Sequence, residues 1–451
     1  MISTYLAQLT SETFSADQVL SPYIYVFYAA FIVSFFFTPV MRTIALYYGI
    51  IDNPDGIRKM HSTPVAYLGG VAVFMGWITG LAISQFATLH RANTGYPFVL
   101  VDFTIIIGAS VIIILGLWDD IRGVKPSLKI IGQVLAGVFL LSQGVGLRCT
   151  GPLLSPLGTR LQTWLHGPGA GNPQFFPDWF VVVTSSLLVI FLVVSCCNAT
   201  NLMDGLDGLC GGVTAIIAAG FLFLAVYLAM VGGGLNVNRD ALRVVLGLAL
   251  LGALLGFIPY NFNPASIFMG DTGSMFLGFA CATQIILLAE EKPKWFLASL
   301  VMFSLPILDT ALAFTRRFLA GRPLFSADKH HFHHQLMARG LSVKKAVLVS
   351  YGLAIGFALM GAAIVFLRTR YAVAFYLVIF GSIVVAAFKM GMVHERVVVV
   401  KRKQLDDVAD TNVSVPQPLE RSQVLEIKDD PTPTAEGKPS SSVFGAWNEP
   451  G

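Results

Sequence analysis

About eleven apolar stretches, each close to the roughly 20 residues that cross a bilayer, leave this chain few ways to fold. They lie near 22–46, 68–88, 103–118, 128–147, 180–197, 209–231, 243–259, 272–289, 296–316, 346–367 and 371–390. In hydrocarbon every backbone N–H and C=O must be paired within the chain, so these stretches are expected to be helices of an all-α, polytopic membrane bundle. Composition agrees. Of 451 residues 55% are hydrophobic and 12% charged, where a soluble domain carries about a quarter charged. Residues 1–21 form a short leading segment, 22–390 the membrane domain, and 391–451 a tail that turns polar from about 404 and is expected to be mostly disordered. The leading segment has no basic run, so the first stretch is expected to stay as a span and not to be cleaved as a signal peptide.

Basic residues give the expected orientation. One set of alternate loops holds Arg58, Lys59, Arg122, Lys125, Arg316, Arg317, Arg322, Lys329, Lys344, Lys345 and the KRK at 401–403, and the other only a thinner scatter. The positive-inside rule places the richer set in the cytoplasm, with the N-terminus outside and the C-terminus inside. The long external loop 148–179 is rich in Gly and Pro and carries no evident chemistry. A net charge of +4 gives no reason to expect nucleic acid, and the five cysteines form no CxxC pair and read as buried thiols.

Every cluster of ionisable and Gly-rich sequence then falls on the cytoplasmic side: 52–70, 118–129, 198–207, 261–274 and 316–339. A transporter would place its charges near the bilayer midplane, in broken helices. Asn198, Asn201, Asp204 and Asp207 recur every three residues between two apolar stretches. On a helical backbone that keeps Asp204 and Asp207 neighbours, and two carboxylates at a membrane edge call for a cation or a proton. Helix capping explains one such residue, not four, and the spacing and closing Glu of an EF-hand are missing. Asp119 and Asp120 adjoin Lys125 and Lys129 where the third stretch ends; they invite a divalent cation or a shared proton, and a solvated helix end accounts for them equally well. Asp271, between Gly270 and Gly273, opens the eighth stretch, where free N–H groups favour phosphate oxygens while the carboxylate holds a metal or caps the helix. His330, His331, His333 and His334 fall within five residues, near Arg316, Arg317, Arg322 and Lys329. They lack zinc-site spacing, so a polyanion is the better ligand for this segment. Together these groups suit a nucleotide diphosphate with magnesium.

Five motifs now stand in order: DNPDGIRKMHSTPVAYLGG, LWDDIRGVKPSLK, NATNLMDGLDGL, GDTGSMFLG and DKHHFHHQLMARGLS. Over roughly residues 20–390 the chain resembles the polyprenyl-phosphate N-acetylhexosamine-1-phosphate transferase family. Its HHFHH segment is similar to that of the bacterial undecaprenyl-phosphate GlcNAc-1-phosphate transferases, whereas MurNAc-pentapeptide transferases usually show HHHFE. The resemblance implies transfer of GlcNAc-1-phosphate from UDP-GlcNAc to undecaprenyl phosphate with release of UMP, dependent on magnesium or, in its place, manganese. It implies a multi-pass protein of the bacterial inner membrane with its site facing the cytoplasm, and a homodimer is compatible with it. In family terms Asp119, Asp120, Asp204, Asp207 and His331 are the catalytic candidates. Lys129, Asn198, Asn201, His333, His334 and Arg322 are candidates for binding substrate, and Asp271, Asn201 and Asp120 for holding the metal. One motif departs: Ala66 and Tyr67 stand where the family commonly has Pro and Arg. The rival expectations are another UDP-sugar such as UDP-MurNAc-pentapeptide, a membrane transporter, and a lipid-binding scaffold without activity. A CDP-alcohol phosphotransferase would need an AR pair after its DG, which is not found here.

Overall fold

The computed structural model describes residues 15–52, 64–90, 101–166, 175–231, 237–319, 321 and 331–389. The chain divides into two units, residues 1–395 and 396–451, and every described residue belongs to the first. The predicted tail, Arg58, Lys59 and His61 of the first motif, and Arg322, Lys329 and His330 lie outside the described residues.

Among the described residues the fold is helical apart from a two-stranded ribbon, β1 (Ile51–Asp52) and β2 (Val65–Ala66). The helices are α1 (Ala16–Leu20), α2 (Ile24–Tyr48), α3 (Gly69–His90), α4 (Phe103–Arg122), α5 (Pro126–Ser142), α6 (Gly151–His166), α7 (Asp178–Met203) and α8 (Leu209–Val231). They continue with α9 (Val237–Asn261), α10 (Gly270–Ala289), α11 (Pro293–Met302), α12 (Ser304–Leu319), α13 (Phe332–Ala338), α14 (Val343–Phe366) and α15 (Thr369–Lys389). Seven of these (α2, α4, α7, α8, α9, α10 and α14) are long and apolar enough to cross a membrane. The remaining predicted stretches also hold helices, but α3, α5 and α15 have shorter apolar windows, and the stretch near 296–316 is bent by 71° between α11 and α12. Pro306 explains the bend, since its ring clashes with the carbonyl four residues back, at Met302.

The loop expected at 148–179 holds α6 instead. Its Gly and Pro residues mask a helical period: Leu153, Leu157, Leu161 and Trp164 fall on one side, and Ser155, Thr159 and Gln162 on the other. Leu157 and Trp164 are exposed, as suits a helix lying at a membrane surface.

α10 is the centre of the bundle. Every residue in it except Asp271 is buried, and it packs against α4 and α7, while α9 packs against α2, α3 and α8. Without water to drive apolar contact, close approach and interhelical hydrogen bonds hold such helices together. A Cβ on Gly278 would fall 2.4 Å from the Cys196 carbonyl, so glycine permits the contact of α10 with α7. The Thr200 hydroxyl donates to the Ser274 carbonyl at 2.7 Å across the same contact. This packing gathers the C-terminal ends of α4 and α7 beside the N-terminal ends of α5 and α10. Past the far end of α10, Arg243 is fully buried and donates to Asp240 and Glu291, each at 2.7 Å, and to the Leu287 carbonyl. Arg239 pairs with Glu290 there at 3.3 Å.

Candidate active site

Asp120, at the end of α4, serves α10 rather than its own helix. Its Oδ1 accepts from the Asp271 N–H at 2.8 Å, and its Oδ2 accepts from the Thr272 N–H at 3.0 Å and the Thr272 hydroxyl at 2.5 Å. An anion at a helix N-terminus satisfies free N–H groups and complements the helix dipole. Gly270 allows this: its φ is +72°, and a Cβ there would lie 2.5 Å from Asp120 Oδ2. Asp271 therefore does not cap α10, and its carboxylate is turned to other partners. Its Oδ1 accepts from Asn201 Nδ2 at 2.9 Å and its Oδ2 from Lys129 Nζ at 2.6 Å. Lys129 also pairs with Asp119, whose Oδ1 accepts from the Val124 N–H at 2.6 Å. Asn201 donates as well to the Ser274 hydroxyl at 3.0 Å.

The three-residue spacing of 198–207 does not lie on one helix. α7 stops at Met203, leaving Asp204 at its C-cap and Asp207 in the following turn, because Gly205 and Gly208, the latter at φ +78°, release the chain. Asp207 Oδ2 accepts from Asn263 Nδ2 at 2.9 Å and the Ala265 N–H at 3.0 Å, tying this turn to the segment before α10. Asn198 donates to Gln133 Oε1 and to the Val194 carbonyl, each at 2.7 Å. Asp204 keeps some exposed surface, yet protein encloses its carboxyl; desolvation first, then the charges of Asp271, Asp120 and Asp207, push its pKa up to about 8. Tyr67, in the position of the family's Arg, has its phenol pKa raised by burial and by Asp52, with smaller contributions from Asp120 and Asp271.

The histidines approach from the other side. His333 is 2% exposed, and its Nε2 has no hydrogen-bond partner. It abuts Gly205, where a Cβ would stand 2.3 Å from that nitrogen. Burial, then neighbouring His334, lowers its pKa to about 3, so the ring is neutral. The rings of His331 and His333 are near-parallel with centroids 5.8 Å apart, and His334 lies 4.3 Å from His333. His331 Nδ1 meets Asp309 Oδ2 at 3.1 Å, and Asp309 Oδ1 accepts from the Phe332 N–H at 2.7 Å. Asp309 is absent from the motifs; an acid inside an apolar stretch is the signal that would have found it.

Among the described residues no three Asp, Glu, His or Cys side chains gather closely enough to hold a metal by themselves. Magnesium does not require that, since it is usually held by one or two carboxylates together with substrate phosphates. Asp271 and Asp119 with the Asn201 amide supply hard oxygens of this kind, and the Lys129 ammonium between the two carboxylates already occupies a cation's place. The donor set fits. The three bonds that Asp120 accepts from α10 hold Asp271 in position.

Residues 103–289, from α4 through α10, match glycosyl transferase family 4. The chain is 33% identical over 378 residues to a probable undecaprenyl-phosphate N-acetylglucosaminyl 1-phosphate transferase of Bacillus subtilis, covering 81% of this chain and 93% of the relative. It is 35% identical over 379 residues to a decaprenyl-phosphate N-acetylglucosaminephosphotransferase of Mycobacterium tuberculosis, covering 79% and 85%. A phospho-N-acetylmuramoyl-pentapeptide-transferase of Oceanobacillus iheyensis is 30% identical over 325 residues, covering 69% and 86%.

Proposed function

This chain belongs to glycosyl transferase family 4, and we propose that it transfers GlcNAc-1-phosphate from UDP-GlcNAc to undecaprenyl phosphate, releasing UMP. One observation carries the reading: five aspartates, Asp119, Asp120, Asp204, Asp207 and Asp271, meet at one end of the bundle, with the Lys129 ammonium paired to two of them. Such an excess of half-buried acid favours a site that receives cations and phosphates. The same reading takes all eleven stretches as crossings, in the bacterial inner membrane, with the N-terminus outside and this site at the cytoplasmic face.

An oxygen of the lipid phosphate attacks the β-phosphorus of UDP-GlcNAc. The bond from that phosphorus to the oxygen bridging to the α-phosphate breaks, and UMP departs with the electron pair. A phosphate monoester has its second pKa near 6, so at neutral pH the nucleophile is mostly dianionic and needs little help from a base. The reading is therefore a single displacement without a phospho-enzyme. Phosphoryl transfer asks the protein chiefly to position groups and offset charge. In this reading Lys129 meets the pyrophosphate, and Asp271, Asp119 and Asn201 would hold magnesium, whose charge would offset that of the phosphates. Asp120 fixes the start of α10, Asp207 fixes the turn that carries Asp204, and the histidines close over the phosphates.

The test is mass analysis of the lipid formed when purified protein receives undecaprenyl phosphate and UDP-GlcNAc, with UDP-MurNAc-pentapeptide as a competitor. GlcNAc-diphospho-undecaprenol, undiminished by the competitor, is the expected product. A MurNAc-pentapeptide product would move the chain to the other branch of the family, and no lipid product with either donor would end the transferase reading.

A further inference from the structure

We propose that Asp309 is a positioning residue for the transfer, acting through His331; the inference rests on the transferase reading above. Asp309 is 5% exposed on α12, a helix that packs against α7, and both of its oxygens are engaged. Oδ2 takes His331 Nδ1 at 3.1 Å, and Oδ1 takes the Phe332 N–H at 2.7 Å, the first N–H of α13. One carboxylate thus sets both the entry of α13 and the rotation of the His331 ring. With a carboxylate as acceptor, Nδ1 carries the proton and Nε2 is the nitrogen left for substrate.

The arrangement continues past His331. Its ring lies parallel to that of His333, and His333 rests on Gly205, beside Asp204. Asp309 therefore ties the histidines to the same α7 that supplies Asn198 and Asn201 and ends at Asp204. Carboxylates that orient metal-bound imidazoles change activity by about 10- to 100-fold when altered, and the same scale is expected for a carboxylate that orients a substrate-facing one. No other acid among the described residues is bonded to His331.

Two variants and their combination test this. Asp309→Asn keeps the shape but offers an N–H where one of the two donors now points, and is expected to lower kcat for UMP release on the order of 10- to 100-fold with KM for UDP-GlcNAc little changed. Asp309→Glu, which retains the carboxylate, should recover part of that loss. In a His331→Ala background Asp309→Asn should cost almost nothing further, because residues acting as a unit are non-additive. Melting midpoints in detergent verify that each protein is folded. Full turnover in Asp309→Asn, or a loss that multiplies undiminished onto that of His331→Ala, would overturn the assignment. Asp309→Glu behaving no better than Asp309→Asn would also count against it. A wild-type protein that releases no UMP would instead defeat the transferase reading, so the two failures are distinct.

Discussion

The two ends of α10 bury charge in opposite ways. At the far end each acid has an arginine: Asp240 and Glu291 pair with Arg243, and Glu290 pairs with Arg239 and also accepts from the Gly146 N–H. At the near end Asp119 and Asp271 share Lys129, while Asp120 is satisfied by main-chain and hydroxyl donors and Asp204 takes up a proton at neutral pH. Burying a charge is costly unless it is paired, and the far end, with two arginines for the three acids they pair with, comes nearer to balance than the near end, where five aspartates have one lysine. A set held out of balance persists only if something else supplies the missing charge. In the proposed reading that difference separates the part that holds the fold from the part where the transfer takes place.

The sharpest way to break the comparison is to neutralise one acid at the near end. Asp271→Asn keeps the volume but removes a metal-holding carboxylate, and is expected to lower UMP release on the order of a thousandfold at any magnesium concentration, several kcal/mol of transition-state stabilisation. Substantial turnover in that variant would show that the unbalanced end is not where the chemistry occurs. At the far end the expectation reverses. Arg243→Ala leaves the buried Asp240 and the half-buried Glu291 without their partner and should lower stability by about 3–5 kcal/mol, while turnover per folded molecule stays as in the wild type. Denaturation in detergent alongside active-site titration reads both quantities, and lost turnover in the folded fraction would erase the distinction.

Smaller effects follow from titration at the near end. The Asp204 carboxyl has a pKa of about 8 in the folded protein against 3.8 in its ordinary state. Between those values the unfolded chain releases the proton that the folded protein keeps, so stability falls as pH rises from about 4 to 8. Asp204→Asn should therefore melt above the wild type at pH 8, with the gap closing towards pH 4, even as activity is lost. An unchanged gap across that range would remove Asp204 as the source. The reverse slope belongs to His333, whose pKa is about 3 when folded and 6.5 ordinarily. Its contribution is fully present above pH 6.5 and lost as pH falls through the range below, because the unfolded chain binds the proton first. His333→Gln should flatten the fall in melting midpoint between pH 6.5 and 5, and an unaltered slope would assign it elsewhere.

What the chain discloses on reading follows the range of the interactions. Apolar stretches and acid motifs are local, and they locate the helices and the residues of the near end. α6 was hidden because its Gly and Pro residues look like a loop while its leucines keep a helical period. A helical backbone keeps Asp204 and Asp207 neighbours only where the helix continues, and here two glycines release the chain after Met203. Two contacts had no local sign of their partners. Asp120 caps a helix 151 residues away, and Asp309, though visible as an acid in an apolar stretch, meets His331 from 22 residues away. In both, a carboxylate on one element completes the N-terminus of another, which hydropathy and spacing along one segment do not register.

The most direct test of the central claim is UMP release by the purified protein supplied with UDP-GlcNAc and undecaprenyl phosphate, with EDTA added and then excess magnesium restored. The account predicts release that needs both substrates, stops with EDTA and returns with magnesium. Release that continues undiminished in EDTA would contradict the assignment of the acid-rich end as the place where metal and phosphates meet.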